Sequence, residues 1–354
     1  MTRQRLLLLF VAVLVVVAGA FWLAAQRNPA RDSAALGKVL PTLAAEVNSV
    51  SQVRIVTAGD KNAVTLERAE KAWKVAERGG YPADATKLRE LLVDLRELEI
   101  MEEKTENPEN YARLGVEDVS AATASGVRVD LQGLKAPASV IVGKSSSGDA
   151  SYVRIAGQAR SLLAKPQLSV ERQPASWLDR SIADIPVERV QRVRVSSPGA
   201  KPYEITRASR TQTDFDVPAV PKGKALASPS VPQPIAAALD GLTLDDVQGA
   251  AATDAWSGEL HQSEYWLFDG TTVKVTGRKD DERHLIRVEV GFDPAQHARF
   301  TAKPEKDKPA PQTEEQARAE AQALGTKVSG WTYEIPAYKF ETLFRPLADL
   351  LSSS

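Results

Sequence analysis

Five leucines in one short stretch constrain the fold of this chain most strongly. Pro82 and Asp84 precede them, as expected at a helix start, where proline suits the first turn and aspartate caps free N–H groups. A helix with such an apolar stripe needs a surface to pack against. The stretch from Trp73 to Met101 therefore predicts a strand end, a turn and an amphipathic core helix, with a partner-binding helix as the alternative. The leucines recur at intervals of three and four residues, on one helical face: Leu88, Leu91, Leu92, Leu95 and Leu98.

The same order of patterns recurs further along the chain. Strands are predicted at 53–56, 64–68 and 73–75 before the helix, and at 127–131, 138–143 and 152–155 after it. Their counterparts are 193–195, 203–207 and 215–217, a helix end at 235–244, and 265–268, 272–276 and 285–288. Seven matching elements in one order predict an α+β protein with two copies of one unit, at residues 50-188 and 189-354. Each copy is predicted to be a mainly antiparallel sheet with an amphipathic helix packed on it.

The second copy is predicted to differ from the first in two inserts. Residues 218–233 are Pro-rich, and residues 303–327 are charged. In the charged insert, Thr313 and Gln316 resemble a capping box, and Gly325 is predicted to end a short helix. Such inserts are usually solvated excursions, and docking of a partner is the alternative. Two further elements are predicted: irregular or helical cover at 162–168 and 175–179, and a closing amphipathic helix at 337–351.

The N-terminus predicts a membrane anchor at residues 1-25. The run from Leu6 to Ala25 is uncharged and long enough to span a bilayer as a helix. Arg3 and Arg5 favour a cytoplasmic N-terminus, which places the bulk of the chain in the periplasm or extracytoplasmic space. A signal peptide cleaved near Ala18-Gly19-Ala20 is the alternative. Residues 26-49 are predicted to be a tether.

Composition narrows the functional classes. The net charge of −1 argues against a nucleic-acid-binding protein, which would neutralise phosphates with a basic surplus. Cysteine is absent, which excludes disulfides, thiolate nucleophiles and Cys-ligated metals. A hydrophobic content of 43% supports a substantial core without disulfides.

Motifs for catalysis are missing from the sequence. The histidines lack metal-ligand spacing and are interpreted as surface or strand residues: His261, His284 and His297. Gly143-Lys144-Ser145 lacks the earlier glycine of a phosphate loop, because position 138 is Ala138, and is interpreted as a hairpin turn. Acidic clusters at 102–103, 245–246 and 280–282 are interpreted as solvated charge. The sequence therefore assigns no catalytic, cofactor-binding or metal-binding residue, and predicts neither an enzyme nor a cofactor.

Arg154 and Arg287 fall at equivalent strand positions of the two predicted copies. Outward-facing strand residues are the simpler interpretation of this pair, and a symmetric anion or partner site is the alternative.

A resemblance to a known family covers nearly the whole exported part. The residues that carry it are Trp73-Lys74-Val75, Tyr81-Pro82-Ala83-Asp84 with the leucine-rich helix, 111–115, Val142-Gly143, Tyr152-Val153-Arg154, Trp177-Leu178-Asp179-Arg180, Gly330-Trp331-Thr332-Tyr333 and the end to Leu351. The chain is similar to the bacterial domain of unknown function 4340 family, which also forms part of gliding-motility-type ABC transporter auxiliary components. The resemblance implies an anchored envelope protein that accompanies ABC-type permeases, and implies no catalytic residues.

Three functional hypotheses follow. The first is a non-enzymatic accessory or scaffold subunit of an ABC-type transport or motility-like complex, anchored in the membrane. The second is a module that binds an envelope glycan or lipid in a groove between the two repeats. The third is a hydrolase that uses acidic residues. The apolar stripe of the helix predicted at 235–244 is weaker than that of the leucine-rich helix. We therefore expect Leu92→Ala or Leu95→Ala to destabilise the protein more than Leu239→Ala does.

Overall fold

The computed structural model describes residues 36–70, 72–249, 256, 258–301 and 312–352. The chain divides into two compact units. Unit 1 contains Met1–Ala63 and Arg89–Arg172, and unit 2 contains Val64–Leu88 and Gln173–Ser354. Of the residues that the sequence places in the first copy, 50-188, this division assigns 64–88 and 173–188 to unit 2, together with the predicted second copy, 189-354.

Unit 1 is built on six antiparallel strands. In spatial order they are β1, β6, β7, β8, β9 and β5. Along β1, Val53, Ile55 and Val56 are buried and the other residues are half-buried, as expected for a strand with one face on the core. The strands are β1 (Gln52–Thr57), β5 (Glu99–Glu103), β6 (Val127–Gln132), β7 (Ala138–Ser146), β8 (Ala150–Ile155) and β9 (Ser161–Lys165).

Unit 2 carries a seven-stranded sheet and two smaller sets of strands. The order in the large sheet is β12, β11, β15, β16, β17, β18 and β14. The strand β2 (Lys61–Ala69) leads from unit 1 into unit 2 and pairs with β3 (Ala72–Val75), which pairs with β4 (Tyr81–Pro82). The strands β10 (Ser181–Ala183) and β13 (Leu242–Thr243) pair with each other. The large sheet contains β11 (Val190–Ser196), β12 (Tyr203–Thr206), β14 (Asp246–Gln248), β15 (His261–Leu267), β16 (Thr271–Asp280), β17 (Arg283–Phe292) and β18 (Thr332–Glu334).

Six strands follow the same order in both units. The series β1, β6, β7, β8, β9, β5 in unit 1 corresponds to β11, β15, β16, β17, β18, β14 in unit 2. The registers agree as well, because Arg154 pairs with Ile141 on β7 as Arg287 pairs with Thr276 on β16. The predicted mixture of antiparallel sheets and helices is confirmed.

The leucine-rich helix forms as predicted. It is α2 (Ala85–Glu97), and Asp84 caps it by accepting hydrogen bonds from the backbone N–H groups of Thr86 at 2.9 Å and Lys87 at 3.0 Å. All five leucines of the stripe are buried. The other helices are α1 (Leu43–Glu46), α3 (Tyr111–Leu114), α4 (Gln233–Ala236), α5 (Pro294–Thr301), α6 (Glu314–Val328) and α7 (Ala337–Leu343).

Several predicted elements are wrong in detail. Residues 162–168 include most of strand β9 instead of irregular cover. Gly325 does not end its helix, because α6 continues to Val328. The closing helix stops at Leu343, and Pro346 prevents its continuation before a final 3₁₀ turn at Leu347–Leu350.

Part of the predicted tether packs into unit 1. Val39, Leu40 and Leu43 are buried, and the Val39 N–H donates to the carbonyl of Leu98 at 2.9 Å. The predicted anchor from Leu6 to Ala25 lies outside the described residues. Within the residues that the structure describes, no helix is long and apolar enough to cross a membrane.

Candidate functional site

Strand β17 forms the base of the candidate site where it continues beyond its pairs with β18. Strand β17 pairs with β16 from Arg283 to Phe292. Its pairs with β18 in the described part of the chain are Leu285 with Glu334 and Ile286 with Tyr333. Beyond Ile286, a cavity of about 800 Å³ opens beside the strand. We call this cavity the edge slot; it is lined by residues 287–290 of β17, by Gln322, Gly325, Thr326 and Ser329, and by residues 330–332.

Helix α6 forms the second wall of the edge slot. The capping box predicted from Thr313 and Gln316 fixes its start: each of the two side chains accepts a hydrogen bond from the other residue's backbone N–H. Ala317, Ala321 and Val328 are buried. This leaves Gln322 and Thr326 exposed in the slot.

Gly325 lies where α6 passes beside β17. A Cβ atom built on Gly325 would lie 3.6 Å from the carbonyl oxygen of Val290, which is an ordinary van der Waals contact. The helix therefore runs next to the strand at this point, with room for a methyl group. The glycine predicted to terminate a helix instead lies inside α6 and lines the edge slot.

Trp331 forms one end of the edge slot and rests on the β3–β4 region of the same unit. The ring of Tyr81 meets the Trp331 ring edge-on at 5.0 Å between centroids. Burial, followed by the charge of Asp179, raises the pKa of Tyr81 to about 12, so its phenol stays neutral. Beside it, Arg78 forms a two-point ion pair with Asp246, at 2.6 Å and 2.8 Å. The edge-on contact with Tyr81 helps to hold the indole in place.

Arg287 is fixed beside Trp331 by contacts on two sides. Its Nε donates to the hydroxyl of Thr332 at 3.0 Å. Its guanidinium also lies 4.5 Å from the ring centroid of Trp256, and that of Arg278 lies 5.1 Å from the same ring. Cations over an indole ring are favourable contacts, so the two arginines and Trp256 form one cluster.

A second cavity of about 310 Å³ adjoins the edge slot on the same sheet. The two cavities share Glu289 and Val290 as lining residues. Trp266 lines the second cavity, and the guanidinium of Arg192 lies 3.8 Å from its ring centroid. The cavities together follow β17 and reach across to β15, with Trp331 lining one and Trp266 the other.

Arg154 and Arg287 occupy equivalent positions in the strand order but have different surroundings. Arg154 is buried, so its interpretation as an outward-facing residue is wrong. It donates to the carbonyls of Val116 and Gln158 at 2.8 Å and to the carboxylate of Asp118 at 2.6 Å. Arg287 lines the edge slot. The two arginines therefore differ in role: Arg154 is enclosed by backbone carbonyls and a carboxylate, and Arg287 borders a cavity.

The three histidines contact aromatic rings or backbone groups of the fold. His261 and His284 lie in strands beside Phe340, at 5.2 Å and 5.1 Å between centroids. Burial, followed by the charge of Lys279, lowers the pKa of His261. His297 is buried in α5, contrary to its interpretation as a surface or strand residue, and its Nδ1 lies 2.9 Å from the carbonyl of Asp269.

Members of all three acidic clusters form ion pairs. Glu103 pairs with Arg160, Asp246 with Arg78, and Asp280 with Arg283. Among the described residues, no group of three or more acidic or histidine side chains could hold a metal ion.

The predicted turn at Gly143-Lys144-Ser145 is wrong, because these residues lie inside strand β7, where the register shifts. Lys144 donates to the carbonyls of Ala112 and Arg113 at 3.2 Å and 3.1 Å. The side chain therefore bonds the short helix α3.

Sequence reasoning did not find the edge slot. It identified Arg287, the capping box of α6 and the Gly330-Trp331-Thr332 motif separately. The pairing of β17 and β18, which brings these three features together, connects residues far apart in sequence. The unusually long charged insert was the one signal that pointed to this region.

One of the comparisons with known proteins gives a match. A family model with the description Domain of unknown function (DUF4340) matches residues 73–258, just over half of the 354-residue chain. No curated protein and no solved structure matches the chain. The matched segment runs from β3 to the approach to β15. The chain therefore belongs to the DUF4340 family of domains of unknown function.

Proposed function

We propose that this protein is a non-enzymatic binding subunit of the cell envelope, held at the membrane by its N-terminus. The observation that carries the proposal is the edge slot, a cavity of about 800 Å³ between a strand edge and a well-capped helix. Cavities of this size with several converging polar groups are typical ligand sites. Rigid elements on both walls favour binding without large rearrangement.

The proposed anchor is the uncharged run from Leu6 to Ala25. We propose one pass through the cytoplasmic membrane, with a cytoplasmic N-terminus and both units outside. In membrane fractionation, the full chain should resist alkaline carbonate extraction, and a variant without residues 1–25 should be soluble. The intact mass of the purified protein distinguishes an anchor from a cleaved signal peptide. Release of the full chain by carbonate would contradict the proposed anchor.

The proposed partners are permease or other envelope subunits of an ABC-type transport or motility-like complex. This proposal is supported by the resemblance of the chain to auxiliary components of such transporters. Affinity capture from mildly solubilised membranes should recover a permease or an ATPase. The matched control is the variant without residues 1–25, captured from the soluble fraction. Recovery of no envelope subunit by the full chain would overturn this assignment.

We also propose that the two units are copies of one ancestral unit. The shared order of six strands and the matching registers of Arg154 and Arg287 support this proposal. Significant similarity between the two halves in a set of aligned relatives would test it. If only the second half matched unrelated single-unit proteins, the duplication would be excluded.

A glycan-binding module is the second candidate function. The sequence suggested a groove between the repeats for such a site. The edge slot, which lies within unit 2, offers a better-defined alternative because its lining combines an indole with hydroxyl and amide groups.

A further inference from the structure

The walls of the edge slot are rich in uncharged hydrogen-bonding groups. Gln322 and Thr326 project from α6, Ser329 lies on the segment that leads into β18, and Thr332 is the first residue of that strand. Hydroxyls and a carboxamide offer both donors and acceptors. An apolar ligand would remove the exposed polar groups of Gln322 and Ser329 from water without replacing their hydrogen bonds, which is unfavourable. The lining therefore favours a ligand that is itself rich in donors and acceptors.

The charges in the edge slot have both signs. Arg287 and Glu289 are two residues apart on β17, so their side chains lie on the same face of the sheet. A strongly anionic ligand would meet Glu289, and a strongly cationic one would meet Arg287. The balance favours a ligand without net charge.

An extended peptide fits the edge slot poorly. Addition of a strand to β17 requires free space of about 4.8 Å beside its backbone. Helix α6 passes beside β17 at Val290, where a Cβ atom built on Gly325 would already be in van der Waals contact with the Val290 carbonyl oxygen, at 3.6 Å. Helix α6 therefore takes the place where an added strand would pair.

The aromatic side chains complete the recognition pattern. Trp331 offers an indole held against Tyr81, and the adjoining cavity of about 310 Å³ contains Trp266. Indole rings combine a flat apolar surface with a polar N–H group. Sugar rings have apolar C–H faces and a hydroxyl rim, which match an indole face and a polar wall. Two adjoining cavities, each with a tryptophan, suit a chain of linked sugars better than a single sugar.

We propose that the edge slot and the adjoining cavity bind a segment of an uncharged oligosaccharide. The inference names the ligand class of the binding site in the proposed function, on which it therefore rests. Arg287, Gln322 and Thr326 hydrogen-bond the hydroxyl rim, and Trp331 contacts a ring face. Glu289, where the cavities meet, accepts hydrogen bonds from a sugar in either cavity.

The test is titration of the full chain with neutral trisaccharides. The probes are chitotriose and maltotriose, and trigalacturonate is the charged comparison. The detergent must carry no sugar headgroup, because an alkyl maltoside would compete for the site. We expect saturable binding of at least one neutral probe by calorimetry. Binding of neither neutral probe, or at least tenfold tighter binding of trigalacturonate, overturns the proposal.

Matched variants on α6 locate the site. Thr326→Trp fills the edge slot, whereas Ala323→Trp adds the same bulk at an exposed position of the same helix outside the lining. We expect Thr326→Trp to weaken binding at least tenfold and Ala323→Trp to leave it unchanged. Gln322→Ala, which removes one exposed amide without adding bulk, should weaken binding about threefold to tenfold. Unchanged binding in both slot variants overturns the proposal, even where one of them folds poorly.

The same variants separate this inference from the proposed function. Capture of envelope subunits is measured in parallel with sugar binding. Captured partners without sugar binding overturn the oligosaccharide alone. Sugar binding without captured partners overturns the transport-complex assignment alone and supports the glycan site.

Discussion

Units 1 and 2 join corresponding strands in different ways. In unit 1, residues 156–160 form a short turn from β8 to β9, and these strands pair from Ser151 to Arg154. In unit 2, residues 293–331 connect β17 to β18 and contain α5 and α6. The pairs of β18 with β17 lie at Leu285 and Ile286, and α6 takes the adjacent space. A long connection at one hairpin has thus opened a cavity while the order of strands stays the same.

The largest expected effect concerns the two buried helical leucines. Leu95 and Leu239 are both fully buried, whereas Leu92 is 8% exposed. The structure therefore revises the expectation from the sequence: Leu95→Ala and Leu239→Ala should each lower the free energy of unfolding by about 2–5 kcal/mol. Leu92→Ala should cost less. Urea denaturation of the three variants measures this. A much smaller loss for Leu239→Ala would restore the unequal pair predicted from the sequence.

The second-largest effect is expected at the two corresponding arginines, Arg154 and Arg287, whose replacement should destabilise the protein to different extents. Arg154→Ala removes three hydrogen bonds of a buried guanidinium and leaves carbonyls unpaired, so we expect a loss of about 2–3 kcal/mol. Arg287→Ala should cost about 1 kcal/mol, because Arg287 is only half-buried and water can replace hydrogen bonds that are lost. Thermal and urea denaturation measure both losses. Equal losses would mean that Arg287 has the same structural role as Arg154.

A glycine marks where the cores of the units differ. Gly277 in unit 2 corresponds in register to Val142 in unit 1. A Cβ on Gly277 would collide with Phe344 and lie 2.8 Å from Phe340, so Gly277→Val should cost about 1–3 kcal/mol by overpacking. Thr276→Val, on the opposite face of the same strand, is the control. A stable Gly277→Val protein would show that the closing helix shifts easily.

The smallest effect is a pH dependence confined to unit 2. His261 corresponds in register to Val127, and burial lowers its pKa. Below about pH 6.5, the unfolded chain therefore binds a proton more readily than the folded protein does. The free energy of unfolding therefore decreases as the pH is lowered. His261→Val should flatten this slope between pH 7.5 and 5.5 in urea denaturation. An unchanged slope would assign the pH dependence to other groups.

Local sequence patterns predicted the elements that depend on local chemistry. The cap at Asp84, the leucine stripe of α2 and the capping box of α6 follow from neighbouring residues, and all three are confirmed. The strands β5 and β14 were missed. Each is short, and β14 pairs with β18, which lies far along the chain. The edge slot could not be predicted for the same reason, because its walls meet through long-range pairing.

The division of the chain also has a consequence for the order of synthesis. Residues Val64–Leu88 leave the ribosome long before Gln173–Ser354, to which they are assigned by contacts. Until then, Tyr81 lacks the rings of Trp331 and Tyr333 that cover it. A nascent chain that ends near residue 172 therefore leaves the ring of Tyr81 without these aromatic partners, and such uncovered apolar surface is a target for chaperones or for misassociation. Folding of this protein is expected to finish only after the last strand, β18, has emerged.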